Sequence, residues 1–520
     1  MVSSTRIAST SDRKVSQSED RQGEGKGPEG AEGSGRGGRL RRGVSVLAYG
    51  CGHLYNDLCS CMWFTYLLVF LTKVLGFSNP TAGIVVLVGQ LVDGLSTPLV
   101  GYEIDKTIFA QMARYGQRKS WHLIGTVCVS VAFPFIFSPC LGCTESTHPA
   151  VRLFYYIPFV VLFQIGWASV QISHLSLIPH LATTAHQRTA YNGIRYAATV
   201  LANLLVYGLC WIILGTDTTH SNNITQHDEN KFAILAVAVV GMGLLSTTLF
   251  HLGVSEPSRT STAQSSPPTC SKRKQQQQRT ARSWKQWFKE PRFYLMGVIY
   301  LCTRLFINIS QTYLPFYVLE TQHFAKEFIA IVPLIVYVSS FATSFLLSLP
   351  GVKRITSRRK VTLSMGVVIG VGACAWMWFH NLHEKIFGVA ALIGISSAVL
   401  LVTSLAMVAD LIGPHKEGSA FVFGAMSFLD KLSSGLVIQL VQSLQPVCPI
   451  AKDQFFRNII VFVPGIAAVL SFLAVLIFPR NANPSEVASQ SSVVECELPE
   501  SPVDSAIDSD CGDENSIERL

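Results

Sequence analysis

Apolar runs of close to twenty residues recur along this chain, and few patterns restrict a fold more strongly. A bilayer core offers no water to a free backbone group, so such a run is stable there as a helix that pairs its own N–H and C=O groups. About 20 residues at 1.5 Å each cross the hydrocarbon. Windows of that length give twelve spans, at roughly 45–72, 80–104, 119–138, 154–180, 191–214, 232–253, 293–318, 328–349, 361–380, 386–413, 419–443 and 457–479. Composition agrees: 49% of the 520 residues are hydrophobic and 14% are charged, where soluble domains carry about a quarter charged. The net charge of +8 is no nucleic-acid signal, because the basic residues lie between the apolar runs and no zinc-finger or RNA-binding pattern occurs.

The longest gap, 254–291, separates six spans from six. It holds Ser-Pro-Pro, a Gln run at 275–278 and many basic residues, which is the composition of a flexible linker. Residues 1–43 and the acidic stretch 480–520 carry too little apolar surface to order themselves. The expected plan is therefore a tail over 1–43, a bundle over 44–253, the linker, a second bundle over 292–479 and a second tail. Leu-Ser-Leu-Ile-Pro-His at 175–180 and Ala-Asp-Leu-Ile-Gly-Pro-His at 409–415 close the fourth and tenth spans, a weak echo of duplication.

Lys and Arg collect in alternate connections: the N-terminal tail, Lys106 to Lys119, the linker, and Lys353 to Lys360. Positive charge marks the cytosolic side, so both termini are expected there. Asn223-Ile-Thr225 then falls on the luminal side, where Asn223 is expected to carry a glycan. Asn308-Ile-Ser310 lies inside a span and is a chance match. Ser-Trp-Lys-Gln-Trp-Phe at 283–288 has the makeup of an interfacial anchor.

A charge at the bilayer centre costs roughly 3 kcal/mol or more, so charged residues within spans are functional candidates or paired. Asp57 stands beside His53 and Asn56, about 20 Å along a helix from Arg42. It is read as a cavity carboxylate, the alternative being a residue hydrated at the membrane surface. Arg195, about one turn into the fifth span, is a cavity guanidinium or a snorkelling one. Asp93 and Lys431 lie within the second and eleventh spans, and Asp430 precedes Lys431. Arg304, Asn308 and Gln311 share one helix face, as a wet cavity or a polar helix seam would require. His174 is a packing histidine or a proton carrier. Cys140 and Cys143 form a Cys-x-x-Cys that is either a disulfide or two free thiols. No Walker A, Ser–His–Asp order or HExxH occurs, so no enzyme, cofactor or metal is expected.

Longer runs carry a resemblance. The segment VDGLSTPLVGYEIDKTIFAQMARYGQRKSW at 92–121 places an acid inside helix 2, then Gly-x-x-x-Asp, then a basic Gly-x-Arg-Lys. It resembles the major facilitator superfamily, in its glycoside–pentoside–hexuronide:cation symporter branch. GHLYNDLCSCMWFTYLL (52–68), GWASVQISHLSLIP (166–179), VTSLAMVADLIGPH (402–415) and SAFVFGAMSFLDK (419–431) are similar to vertebrate members that carry cysteine into lysosomes and melanosomes. The resemblance implies an all-α fold of two six-helix bundles and a secondary transporter with cysteine as its small-molecule substrate. The alternatives are another solute, such as a sugar or a lysophospholipid, or a membrane scaffold that does not transport.

Position by position, the resemblance makes Asp57 a substrate-contacting acid and Asp93 the first acid of the cation site. The other two acid positions of that site hold Thr97 and Gln171 here. One acid with neutral oxygens suits a proton, or no coupling ion, better than sodium. Lys431 matches the branch's helix-11 lysine, and its expected partner is Asp93 across the bundles. Gly101, Asp105, Arg114, Arg118 and Lys119 match the branch's loop signature and are expected to act in gating. Asp57 and Arg195 together suit a zwitterion, the carboxylate receiving its ammonium and the guanidinium its carboxylate. His53, Gln171, Arg304 and Asn308 complete the expected substrate set.

Overall fold

The computed structural model describes residues 37–106, 115–144, 146–182, 185–215, 224–256, 284–348, 352, 358–379, 382–412, 419–445 and 449–479. Asn223, Arg114, most of the linker and the tails before 37 and after 479 lie outside the described residues, as does the side chain of Asp105. Twelve helices among the described residues are long and apolar enough to cross a membrane. They are α1 (Gly37–Val69), α2 (Asn79–Lys106), α3 (Gln117–Ile136), α4 (Pro149–Leu181), α5 (Ala185–Gly215), α6 (Glu229–Gly253), α7 (Pro291–Phe316), α8 (Phe328–Ser348), α9 (Arg359–Met377), α10 (Ile386–Ile412), α11 (Ser419–Leu444) and α12 (Pro449–Ile477).

All twelve expected spans are present, and the differences are at their ends. α1 begins at Gly37, ahead of its apolar run, and α5 begins at Ala185. Hydropathy marks the part of a helix that meets lipid, and a helix continues into water wherever its backbone bonds continue. The Trp-Lys-Gln-Trp segment forms a single turn, Trp284–Trp287. Trp287 is fully buried with its ring 6.3 Å from that of Phe293, so it packs against the second bundle, while Phe288 stays exposed.

The helices pair by a repeated plan. In the first half α1 packs on α5 and α6, α3 on α4, and α2 on α4. In the second half α7 packs on α11 and α12, α9 on α10, and α8 on α10. Between halves, α2 meets α11 and α8 meets α5, which are exchanged counterparts, and α1 meets α7. α1 and α7 even share an irregularity: each runs on into a π-helical turn, Phe70–Val74 and Tyr317–Thr321. Two such matched halves form the architecture in which solute binds at the repeat interface near mid-membrane.

Small residues set the closest approaches. A Cβ on Gly125 of α3 would lie 2.6 Å from the carbonyl of Gly166 on α4, so these backbones touch because neither residue has a side chain. The largest apolar core joins Phe70, Phe133, Phe137 and Phe163 of the first half to Tyr313, Phe316 and Phe456 of the second.

Candidate functional site

Among the described residues, three clusters of charge hold the candidate site residues, and the first joins the bundles. Lys431 Nζ of α11 lies 2.6 Å from Asp93 Oδ1 of α2 and donates to Thr97 Oγ1 at 3.0 Å. Thr97 stands one turn from Asp93 and donates to its backbone carbonyl at 2.9 Å. The ammonium also sits 5.7 Å from the Trp167 ring centroid, within cation–π range. Asp93 is 2% exposed, so the pair is shielded from water and its attraction is little screened. A narrow crevice beside it is lined by Trp63, Gln90, Gln164 and Trp167. Gln90 and Gln164 border Asp93 there, while Gln171 is half-buried two turns further along α4.

The second place lies within the second bundle. Arg304 Nε on α7 meets Asp430 Oδ2 on α11 at 2.7 Å. Asn308, one turn from Arg304, donates to Asp430 Oδ1 at 2.8 Å and to Ser434 Oγ at 2.9 Å. Both carboxylate oxygens are thereby bonded. Adjacent residues Asp430 and Lys431 so serve different partners, one inside its own bundle and one across to the other.

The third place is in the first bundle. Asp57 of α1 accepts from Thr199 Oγ1 of α5 at 2.7 Å and lies 3.3 Å from His53 Nε2. Arg195 is one turn before Thr199, close enough to Asp57 for their charges to interact, yet no ion pair joins them among the described residues. Arg195 Nε has no hydrogen-bond partner among the described residues. Tyr337 of α8, whose ring lies 5.5 Å from that of Tyr207 on α5, is near both Asp57 and Arg304 at the seam between the bundles.

Contacts between the halves are gathered on one side and close it. Where the odd-numbered helices end, Gln311 donates to Thr65 Oγ1 at 3.2 Å and the Tyr207 and Tyr337 rings lie 5.5 Å apart. Beyond them Lys73 pairs with Glu320, one from each π turn. Lys326, ahead of α8, reaches Asp228 Oδ1 at 3.3 Å, and Asp228 also pairs with Lys231 at 2.9 Å. All of these except the Lys231 pair cross between the halves.

The structure therefore joins Asp93, Thr97 and Lys431 as expected, and brings His53 to Asp57 and Asn308 to Arg304. Arg118 lies at the start of α3, its Nη1 3.3 Å from Glu256 Oε1 just beyond α6, so its bond is inside the first bundle. Cys140 and Cys143 form a disulfide. Residues that sequence reasoning passed over include Asp430, Ser434, Thr199, Gln90 and Gln164. Asp430 was within reach: once Lys431 claims Asp93, the arginine at 304 still needs an acid inside a span.

Two matched six-helix bundles, with charged residues inside their spans and contacts between the halves gathered at one end, define a secondary transporter of the major facilitator fold. The xylose transporter XylE from E. coli, in an inward-open conformation, superposes with TM-score 0.59 at 14% identity, over 87% of this chain and 99% of that one. The model of the "MFS/sugar transport protein" family matches residues 48–480. Major facilitator superfamily domain-containing protein 12 of Mus musculus is 44% identical, over 85% of this chain and 95% of its own length. The Homo sapiens protein of that name is 44% identical, over 84% and 94%. The chain belongs to the MFS/sugar transport protein family, alongside these domain-containing 12 relatives. Its fold and relatives are those of transporters rather than enzymes.

Proposed function

We propose that this transporter carries cysteine from the cytosol into lysosomes and melanosomes by alternating access. The observation that carries the reading is the pairing of functions around Asp57. Asp57 and Arg195 are near each other with no ion pair between them among the described residues, which leaves one group of each sign for a zwitterion. Arg304 is already closed by Asp430, so in this state the ligand's carboxylate is left to Arg195. The resemblance of the 52–68 and 402–415 runs to cysteine-carrying proteins supports the choice of amino acid.

Both termini are assigned to the cytosol from the Lys and Arg collected on the side where odd-numbered helices begin. The contacts from Thr65–Gln311 out to Lys73–Glu320 then close the luminal side, and Asn223 is luminal. Asp93 and Lys431 act as a coupling pair whose opening accompanies the change of state.

Liposomes holding the purified protein test the reading. Saturable uptake of labelled cysteine, competed by unlabelled cysteine and unaffected by xylose or lysophosphatidylcholine, is the expected result. No saturable uptake of any of the three favours a scaffold.

A further inference from the structure

Four histidines of the first bundle take no part in the machinery of the second, and they stand in one row with Asp57. His53 Nε2 is 3.3 Å from Asp57, and its ring stacks on His174 with centroids 5.4 Å apart. The His174 and His122 centroids are 6.1 Å apart, and His122 Nδ1 lies 3.2 Å from His251 Nε2. His251 Nδ1 is 2.8 Å from the hydroxyl of Tyr115, a residue 42% exposed. The rings come from α1, α4, α3 and α6, so the fold gathers them from four helices. Their approach needs Gly52: a Cβ there would lie 2.8 Å from the His174 ring and 2.6 Å from that of Phe250.

The partners fix most tautomers, because carbonyls and carboxylates can only accept. His174 Nε2 donates to the Tyr49 carbonyl at 2.8 Å, and His122 Nε2 donates to the Gly52 carbonyl at 2.9 Å. His122 Nδ1 is then an acceptor, so His251 donates to it from Nε2 and accepts from Tyr115 at Nδ1. His53 Nε2 donates to the Asp57 carboxylate. What remains is the Nδ1 lone pair of His53 and that of His174, and neither has a hydrogen-bond partner among the described residues. Both residues are at most 3% exposed. Two buried imidazoles with free lone pairs, stacked beside a carboxylate, form a place for one additional proton.

The charged and titratable groups facing the row are Asp57 from α1, Lys119 from α3, Arg195 and Tyr191 from α5 and Glu256 beyond α6, with the phenols of Tyr49 and Tyr115. Lys119 Nζ is held by the carbonyls of His251 and Val254 at 3.0 and 2.7 Å, at the solvent end of the row. Asp57 is the carboxylate at the inner end and Arg195 the cation near it, so the row has a cation at each end and the proton's acceptor at the inner one.

We propose that His53, His174, His122 and His251 conduct a proton between Asp57 and the Tyr115 end of the bundle, and that this proton is exchanged for the ammonium group of the solute. A proton taken from water onto His251 Nδ1 releases the Nε2 proton to His122 Nδ1. His122 gives its Nε2 proton towards His174, which receives and releases it at Nδ1 while its Nε2 proton stays on Tyr49. His53 takes it at Nδ1 and gives its own Nε2 proton to Asp57, which becomes a neutral acid. One proton leaves the water, one carboxylate is neutralised, and every ring ends uncharged. A ring rotation or one bridging water spans each of the two gaps, His122 to His174 and His174 to His53. Arrival of an ammonium group at Asp57 runs the sequence backwards.

The inference rests on the amino-acid reading, and the test separates the two. Purified wild-type, His122→Gln and His251→Gln proteins are placed in liposomes loaded with a pH-sensitive dye. Cysteine exchange, which needs no net proton, is measured beside proton movement during net cysteine transport. Wild type is expected to move protons with cysteine, while both variants keep exchange within about twofold and lose about tenfold or more of the proton movement. The retained exchange shows that the variants are folded. Proton movement that is absent in wild type, or unchanged in both variants while exchange persists, overturns the path. Absence of cysteine exchange in wild type overturns the amino-acid reading, and the proton path with it.

Discussion

Arg304 of the second bundle is closed by Asp430, with Asn308 and Ser434 completing the acid's bonds. In the first bundle, the arginine of α5 faces Asp57 without an ion pair, and Asp57 leans on a hydroxyl and a histidine instead. The halves share one helix plan, so the contrast lies in side chains rather than in architecture. The second half closes Arg304 internally, as a wall, while its Lys431 reaches across to Asp93. The first half leaves the Nε of Arg195 and the Nδ1 lone pairs of His53 and His174 without partners among the described residues, a cost in stability that a solute and a proton can offset. Function on this view is concentrated in the first bundle, while the second positions and closes.

The contrast can be broken at the second bundle first. Asp430→Ala strands Arg304 and should cost about 3–5 kcal/mol of stability, read by thermal unfolding of the purified protein. The double variant Arg304→Met with Asp430→Leu should regain most of it, and a single variant that melts like wild type would remove the wall from the account. Reversing either Asp93→Lys or Lys431→Asp places two like charges together between bundles and should abolish cysteine uptake. The double reversal should restore a measurable fraction, and none restored would mean that the pair is not a coupling element.

At the first bundle, Asp57→Asn keeps the bonds to Thr199 and His53 but loses the charge. Uptake should fall by roughly thirtyfold, the equivalent of about 2 kcal/mol, with melting nearly unchanged. An equal loss of melting temperature in this variant and in Asp430→Ala would erase the distinction between the halves. The smallest effect is expected from Gln311→Ala, which removes one hydrogen bond between bundles. A loss of about 1 kcal/mol would shift the populations about fivefold towards opening on that side, visible as a longer distance between spin labels at the ends of α1 and α7.

The fold was readable because apolar length is a local property: each span can be found without knowing its neighbours. The partnership of Asp93 with Lys431 was readable as well, since opposite charges in lipid-facing sequence must meet something. What escaped were partners whose side chains look unremarkable in sequence. Thr199 sits one turn after Arg195, and nothing local says that it holds Asp57. The row of four histidines is spread over two hundred residues, and its members become neighbours through the packing of α1, α3, α4 and α6. Trp287 shows the same limit: an amphipathic ring before a span fits a membrane surface and a helix-packing pocket equally well, and its contact with Phe293 is a tertiary one.

Asp228 shows how the closed side can open cheaply. Its Oδ2 accepts from the backbone N–H of Thr225 at 3.0 Å, which ties the turn ahead of α6, and its Oδ1 holds Lys231 of the same bundle as well as Lys326 of the other. When the bundles part there, Lys326 leaves into water while the carboxylate keeps its two local partners. No anion is orphaned by the movement, so the fastening resembles a hook resting in a permanent eye. Its release should be fast and reversible, and, because both groups are buried while paired, little affected by the ionic strength on that side of the membrane.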